Sequence, residues 1–322
     1  MRAIRLDQHG GPEVMELADL TIGEPRAGEV RIHNDAIGVN FIDTYHRTGL
    51  YKVDLPSGLG VEGAGVVDAV GASVASFAIG DRVAYVSKAP GSYAEMFNVE
   101  AQYVTKLPPE ISFETGAAMM HKGLTVEFLL RRLHLQPQPG EPILWHAAAG
   151  GVGLIACQWA KARGFQLIGT AGSKDKCELA RQAGATHVID YTKEDVVTRV
   201  RELTDGRGVR IVYDSVGKDT WERSIDCLQP LGLMVSFGNA SGPVPPISLL
   251  TLSQKGSLYV TRPTMFNYFA RYGAEMMASV VDVVKSGKVK LDVGRTYPLA
   301  DVRKAHEDLE ARATTGSVVL IP

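Results

Sequence analysis

The sequence predicts an α/β protein of two domains: a six-stranded, doubly wound parallel sheet set into a mainly β domain that draws on both ends of the chain. Three observations lead there. The chain has 322 residues, about twice the ~150 of an ordinary domain. Its first hundred or so residues alternate short β-like runs with Gly and Pro, and the texture then changes at Pro142. Between Pro142 and Val260, six apolar runs alternate with amphipathic segments. That alternation marks a parallel sheet covered by helices on both faces.

The early runs are Arg2–Leu6, Val30–Val39, Val61–Val70, Asp81–Val86 and Ser92–Val99, read as a compact, mostly antiparallel barrel or sandwich. From Ser112, placed as an N-cap, a helical pattern covers Phe113–Leu133 and is closed by Pro137 and Pro139. The six apolar strands are Pro142–His146, Phe165–Thr170, Thr186–Asp190, Val209–Asp214, Leu231–Phe237 and Gly256–Val260. After Arg262 and Pro263 comes a long helix, Phe266–Gly287, with Gly287 as its stop. A strand over Val293–Leu299, a helix ending near Arg312 and a last strand over Ser317–Pro322 complete the chain. The simplest packing returns this tail to the β domain. The expected division is 1–124 with 265–322 for the discontinuous β domain, and 125–264 for the parallel sheet.

Composition removes several classes of function. Thirty-four Lys and Arg against thirty-six Asp and Glu give a net charge of −2, so no broad cationic field gathers nucleic acid or anionic lipid. The three cysteines, Cys157, Cys177 and Cys227, are far apart and odd in number, which excludes a disulfide framework and a Cys-rich zinc site. With an N-terminal stretch that lacks the apolar core of a secretory signal, they point to a cytoplasmic protein. Ile143–Ala160 carries no charge and approaches the ~18 residues of a membrane span. Its glycines, Gly150, Gly151 and Gly153, argue instead for strand, turn and buried helix. No Walker A loop and no G-x-S-x-G serine occur, and no two of the eight histidines lie within five residues. His121 and His146 read as packed or hydrogen-bonded residues.

The informative motif is PILWHAAAGGVGLIACQWAKARG. Ala148, Gly150 and Gly153 hold the three small-residue positions of a strand-to-helix dinucleotide turn, with Gly151 and Val152 between them. Small residues let the backbone approach a pyrophosphate, and the helix N-terminus offers it free N–H groups and partial positive charge. At the end of the second strand, where NAD enzymes carry an acid for the ribose, the chain has Gly172, Ser173, Lys174, Asp175 and Lys176. A 2′-phosphate finds small residues, a hydroxyl and lysines there. NADPH is therefore the expected cofactor.

Several segments share a further likeness: NFIDTYHRTGLY, GVEGAG, the glycine turn, YDSVGKDTWERSIDCL, MVSFGNASGPV, KGSLYVTRPT and RATTGS. Together they resemble the NADPH:quinone oxidoreductase, zeta-crystallin-like branch of the zinc-independent medium-chain dehydrogenase/reductases. The likeness implies a Rossmann domain and a discontinuous GroES-like, mainly β catalytic domain. In zinc-dependent alcohol dehydrogenases of that superfamily a cysteine matches Asn40, and the histidine of a G-H-E signature matches Val61. An amide and a valine do not replace thiolate and imidazole at zinc. Without a Lewis acid or a strong proton donor an ordinary ketone is a poor acceptor, whereas a quinone gains aromaticity on reduction. The same reasoning admits a conjugated enal or enone. A non-catalytic NADPH-binding or sensor protein is the alternative from another class.

The resemblance also implies site residues. Asn40 and Tyr45 orient cofactor or quinone oxygen in an interdomain cleft, with Tyr51 and Arg262 as pocket walls. Phe237 and Gly238 border the nicotinamide half, Gly172 approaches the adenosine ribose, and Thr125 contacts the cofactor. Ser173, Lys176, Tyr191 and Arg312 are assigned to the 2′-phosphate end. Glu62, with no metal to serve, is expected to be a hydrogen-bonding or ion-pair residue. A homodimer through the apolar edge of the sixth strand is implied as well.

Overall fold

The elements follow the chain's own punctuation. The computed structural model describes all residues, Met1–Pro322. The chain forms two units: Met1–Leu124 with Tyr272–Gly287 and Leu291–Pro322, and Thr125–Arg271 with Lys288–Lys290.

The first unit opens with β1 (Arg2–Arg5) and β2 (Glu16–Asp19), an antiparallel pair. It continues with β3 (Glu29–Val39), α1 (Phe41–Thr48), β4 (Glu62–Val70), β5 (Arg82–Val86), β6 (Met96–Glu100), β7 (Val104–Lys106) and α2 (Phe113–Arg131). In β3, Val30, Ile32, Asn34 and Ala36 are buried while His33 and Asp35 face out, the alternation of a half-buried strand. Ser112 Oγ accepts the Thr115 N–H at 3.2 Å, so the cap read from the sequence starts α2.

The second unit carries β8 (Pro142–Trp145), α3 (Gly151–Ala162), β9 (Gln166–Ala171), α4 (Lys174–Gln182), β10 (His187–Asp190), α5 (Val196–Leu203), β11 (Val209–Asp214), α6 (Trp221–Asp226), β12 (Leu228–Ser236), α7 (Leu249–Gln254) and β13 (Tyr259–Thr261). α8 (Met265–Lys285) crosses the division between the units, and β14 (Val293–Pro298), α9 (Val302–Glu310) and β15 (Ser317–Ile321) end the chain. Gly287 stops α8 with φ +70°.

The first unit's main sheet runs β14-β15-β3-β4-β5-β7, with β6 also paired to β3. It is antiparallel except at β14 and β15. The C-terminal strand β15 pairs with β3, so the N-terminal and C-terminal segments of this unit share one sheet, while β1 and β2 form a separate pair. One core lies between Ile37, Val39, Val318, Leu320, Val302 and Ala305; another holds Val30, Ile32, Val67, Val83 and Tyr85. Each large apolar side chain buried there contributes about 1.5–3 kcal/mol.

The second unit is a six-stranded parallel sheet in the order β10-β9-β8-β11-β12-β13. Numbered from β8, that is 3-2-1-4-5-6, the order of a Rossmann fold. Leu144, Ile168, Ile189, Val212 and Met234 cover one face beneath Val196 and Val200 of α5 and Trp221 and Ile225 of α6. The uncharged run from Ile143 resolves into β8, a turn and most of α3. No helix is long and apolar enough to cross a membrane.

Three elements were not expected from the sequence: β2, β7 and α1. Ser92–Glu95 was expected to begin a strand, but β6 starts at Met96, and Ala94 instead bridges Ala3 of β1. β12 begins three residues earlier than expected, at Leu228, and β13 later, at Tyr259. β2, β7 and α1 have only four, three and eight residues, too few for a hydrophobic period to mark them or their limits.

Candidate dinucleotide site and the α1 cluster

Apart from Thr125, the parts of the second unit's site follow the carboxyl ends of its parallel strands. β8 leads into Ala147 (φ +54°) and Ala148, whose N–H donates to the Thr170 carbonyl at 3.0 Å and ties the turn to β9. Gly150 is the N-cap of α3, and the first α-helical bond runs from Leu154 N–H to Gly150 C=O. The N–H groups of Gly151, Val152 and Gly153 precede that bond, as in any helix N-terminus that receives an anion.

The glycines there differ in what forbids a side chain. A Cβ on Gly153 would lie 2.4 Å from the Ala147 carbonyl oxygen and 2.6 Å from that of Ala148. Backbone cannot yield cheaply, so the fold itself demands glycine. A Cβ on Gly150 would meet only the Ala147 oxygen, at 3.3 Å. The fold nearly tolerates alanine at that point, and no other atom lies within 4 Å of such a Cβ.

Along the same edge, Gly172, Ser173 and Lys176 follow β9, and Tyr191 follows β10. Tyr191 N–H donates to Ala171 C=O at 3.1 Å, and its hydroxyl reaches over Gly172, where a Cβ would sit 2.4 Å from it. Ser173 caps α4 by accepting the Lys176 N–H at 3.3 Å. Those four residues are brought together. Past β12, Phe237 packs on Trp145 with ring centroids 5.4 Å apart, and a Cβ on Gly238 would strike Ser215 O at 2.3 Å. Arg262 Nη1 donates to Ser236 Oγ at 3.0 Å and Gly238 C=O at 2.9 Å, so this arginine holds the loop after β12 in place. Thr125 lies in the part of α2 that belongs to this unit.

In the first unit, Asn40, Tyr45 and Tyr51 gather around α1. Asn40 is the N-cap residue; its N–H donates to Asp43 Oδ2 at 2.7 Å, half of a capping box. Its amide Nδ2 donates to Glu62 Oε1 at 2.7 Å. Lys122 Nζ donates to the same oxygen at 3.1 Å and to Val39 C=O at 3.2 Å, while His121 N–H donates to Glu62 Oε2 at 2.7 Å. Glu62 is fully buried and pairs with a lysine that is almost as deep. Gly38 leaves room for the carboxylate, since a Cβ there would lie 2.2 Å from Glu62 Oε1. The buried Tyr45 ring meets Tyr51 edge-on, with centroids 5.1 Å apart. Arg312, exposed after α9 with φ +57°, also belongs to this unit.

A second buried network anchors α1 from behind. Tyr93 Oη donates to Asp43 Oδ2 at 2.8 Å and meets His306 Nε2 at 3.1 Å; His306 Nδ1 meets Arg47 Nη1 at 2.9 Å, and Arg47 Nη2 pairs with Glu310 at 2.8 Å. Because the Tyr93 proton goes to Asp43, His306 donates from Nε2 and accepts from Arg47 at Nδ1. An arginine does not release its proton, so the network orients groups and does not conduct protons to the surface.

Burial pushes the Asp43 carboxyl up to about 7, against the Tyr93 hydroxyl and the Asn40 N–H that favour its charged form. Between the ordinary carboxylate range and about 7 the folded chain holds a proton there that the unfolded chain has lost. Stability from this group is therefore present below the ordinary range and is lost as pH rises through about 7. Urea denaturation of wild type and Asp43→Asn should show a stability difference that shifts in the variant's favour between pH 4 and 8. A difference independent of pH counts against it.

Sequence reasoning missed Asp43, Lys122, Tyr93, Arg47 and His306. Asp43 had a local signal, an N-cap Asn followed three residues later by an acid, with Gly49 ending the helix at φ +77°. Lys122 had none, because its partner lies sixty residues away. His146, read as a packed residue, is buried with both ring nitrogens bonded.

The description "zinc-binding dehydrogenase" matches residues 151–286, and "alcohol dehydrogenase GroES-like domain" matches residues 26–109. The chain is 53% identical to a quinone oxidoreductase of Pseudomonas aeruginosa, across 100% of this chain and 99% of that one. It is 39% identical to a 2-haloacrylate reductase of a Burkholderia species, across 98% of each. The solved structure of Escherichia coli quinone oxidoreductase complexed with NADPH superimposes with a TM-score of 0.97 at 52% identity, covering 100% of both chains. Zinc does not fit the residues present. No three His, Cys, Asp or Glu side chains are grouped to hold an ion, and the Asn40 amide is already bonded to Glu62.

Proposed function

Since the chain belongs to the quinone oxidoreductase family, we propose that it is an NADPH-dependent quinone reductase, an oxidoreductase whose site carries no set of metal donors. The observation that carries this reading is the open glycine turn at Gly150, ahead of the α3 N-terminus and beside the Ser173–Lys176 cap. When bound, NADPH supplies reducing equivalents from nicotinamide C4, and a quinone is electrophilic enough to take them without a Lewis acid.

The chain's own residues bind and orient. The first-turn N–H groups of Gly151, Val152 and Gly153 receive the pyrophosphate, at about 0.3–1 kcal/mol for the helix dipole. Ser173, Lys176, Tyr191 and Arg312 serve the 2′-phosphate. Thr125 contacts the cofactor, Phe237 and Gly238 border the nicotinamide, Asn40 and Tyr45 orient cofactor or quinone oxygen, and Tyr51 and Arg262 form walls. In this reading residues 125–264 bind the dinucleotide, and 1–124 with 265–322 supply the catalytic domain.

NADPH oxidation followed with 1,4-benzoquinone, a naphthoquinone and an α,β-unsaturated aldehyde, with and without a chelator, tests the proposal. Quinone turnover indifferent to the chelator is expected. Turnover with the enal alone would favour a double-bond reductase, a second reading suggested by the 39% identity to 2-haloacrylate reductase. In the same assay Lys176→Ala should raise KM for NADPH about tenfold while leaving KM for NADH nearly unchanged, the loss expected of one charge-assisted phosphate contact. Equal effects on both cofactors remove Lys176 from the 2′-phosphate site.

The edge of β13 completes the proposal. Tyr259 is 59% exposed, and Leu249 and Leu250 of α7 are 78% and 69% exposed. An open apolar strand edge of this kind invites pairing with a second copy of the chain. A homodimer follows, and sedimentation equilibrium at micromolar concentration giving only the 34.7 kDa monomer would contradict it.

A further inference from the structure

Beneath the glycine turn lies a buried polar hub that the proposed function does not use. His146, the residue between β8 and the turn, is 1% exposed. Its Nδ1 meets Thr170 Oγ1 at 3.0 Å and its Nε2 meets Ser224 Oγ at 2.9 Å. Ser224 Oγ donates to Asp214 Oδ2 at 2.7 Å, and Thr220 Oγ1 donates to the same oxygen at 2.7 Å. Asp214 Oδ1 takes the N–H groups of Val216 and Gly217 at 2.7 and 3.0 Å.

The proton positions follow from donor arithmetic. Ser224 has one proton and gives it to Asp214, so its oxygen accepts from His146 Nε2–H. His146 Nδ1 then accepts from the Thr170 hydroxyl. Burial holds the imidazole below its ordinary pKa, which favours this neutral form.

Each arm of the hub ends at a different part of the dinucleotide site. Thr170 is two residues ahead of Gly172, and its carbonyl also takes the Ala148 N–H. Asp214 ends β11; its carbonyl takes the Phe237 N–H at 2.8 Å, and the next residue, Ser215, is the one that a Cβ on Gly238 would strike. We propose that His146 is a positioning residue that couples the two halves of the site, fixing the adenosine side through Thr170 and the nicotinamide side through Ser224 and Asp214. The proposal rests on the reading that NADPH is the ligand.

Two conservative variants separate the arms. An asparagine side chain places its oxygen near the position of Nδ1 and reaches no further, while a glutamine places its Nε2 near that of the ring. His146→Asn therefore keeps the Thr170 bond and loses Ser224; His146→Gln does the reverse. Thr170→Val, which leaves the histidine in place, is an independent check on the first arm. Calorimetric titration with NADPH and with 2′,5′-ADP, which carries only the adenosine half, reads the outcome, alongside the melting temperature of each ligand-free protein.

His146→Gln and Thr170→Val should weaken 2′,5′-ADP about fivefold, the typical effect of one hydrogen bond. His146→Asn should hold 2′,5′-ADP within about twofold of wild type while losing about fivefold for NADPH. Equal weakening of both ligands by both histidine variants, or lowered melting temperatures with no change in either affinity, overturns the coupling role. A wild-type chain that binds neither ligand sinks the NADPH reading itself, and this proposal with it.

Discussion

Lys122→Met should destabilise the first unit by about 3–5 kcal/mol, the usual cost of stranding one charge of a buried pair. Glu62 is fully enclosed, and Lys122 is the cation bonded to it, at 3.1 Å. With the ammonium gone, the carboxylate keeps the Asn40 amide and the His121 N–H but no counter-charge. A loss of that size is a large share of the ~5–15 kcal/mol that holds a domain folded. The double variant Lys122→Met with Glu62→Gln should recover most of it, because a neutral amide needs no cation. Urea denaturation of the four proteins in a cycle measures the coupling. A single-variant loss below about 1 kcal/mol, or no recovery in the double variant, would show that the pair is not what compensates Glu62. Asn40 is the reporter of consequence: its side chain is anchored to Glu62, and Lys122 also holds the Val39 carbonyl just before it.

Gly153→Ala should abolish measurable NADPH binding and cost about 1–3 kcal/mol in stability, the range for overpacking a tight site. The added methyl would press on two carbonyl oxygens of the turn, at 2.4 and 2.6 Å, and could be accommodated only by opening the turn that places the α3 N-terminus. Gly150→Ala is the informative control. Its methyl would approach one oxygen at 3.3 Å, so stability should change little while affinity for NADPH falls. Fluorescence titration and thermal melting of the two variants distinguish a glycine required by the fold from one required by the ligand. If Gly150→Ala binds NADPH as wild type does, the space above that residue does not hold a phosphate.

Much of this architecture could be read before any coordinates. The continuous apolar runs from Pro142 onward must be covered on both faces, and only helices between parallel strands do that without leaving backbone groups unpaired. The glycine turn and the small, hydroxyl and lysine residues of Gly172–Lys176 are local signals, complete within a few residues. Capping residues and helix stops, Ser112 and Gly287 among them, were equally visible. The placement of α1 was not, although Asn40, Asp43 and Gly49 mark its ends: eight residues carry too little periodicity to stand out among neighbouring strands.

The sequence alone therefore determined the class of fold, the strand-turn-helix succession at the dinucleotide turn, and the type of ligand that turn invites, because hydrophobic period and small-residue spacing act over short stretches of chain. The tertiary structure decided which buried polar groups meet. Lys122 finds Glu62, Tyr93 joins Asp43 to His306, and His146 bridges Thr170 to Ser224. Those partners come together only when distant strands and helices pack. A buried polar atom is bound to whichever complementary group the fold brings within about 3 Å, and no local pattern encodes that choice.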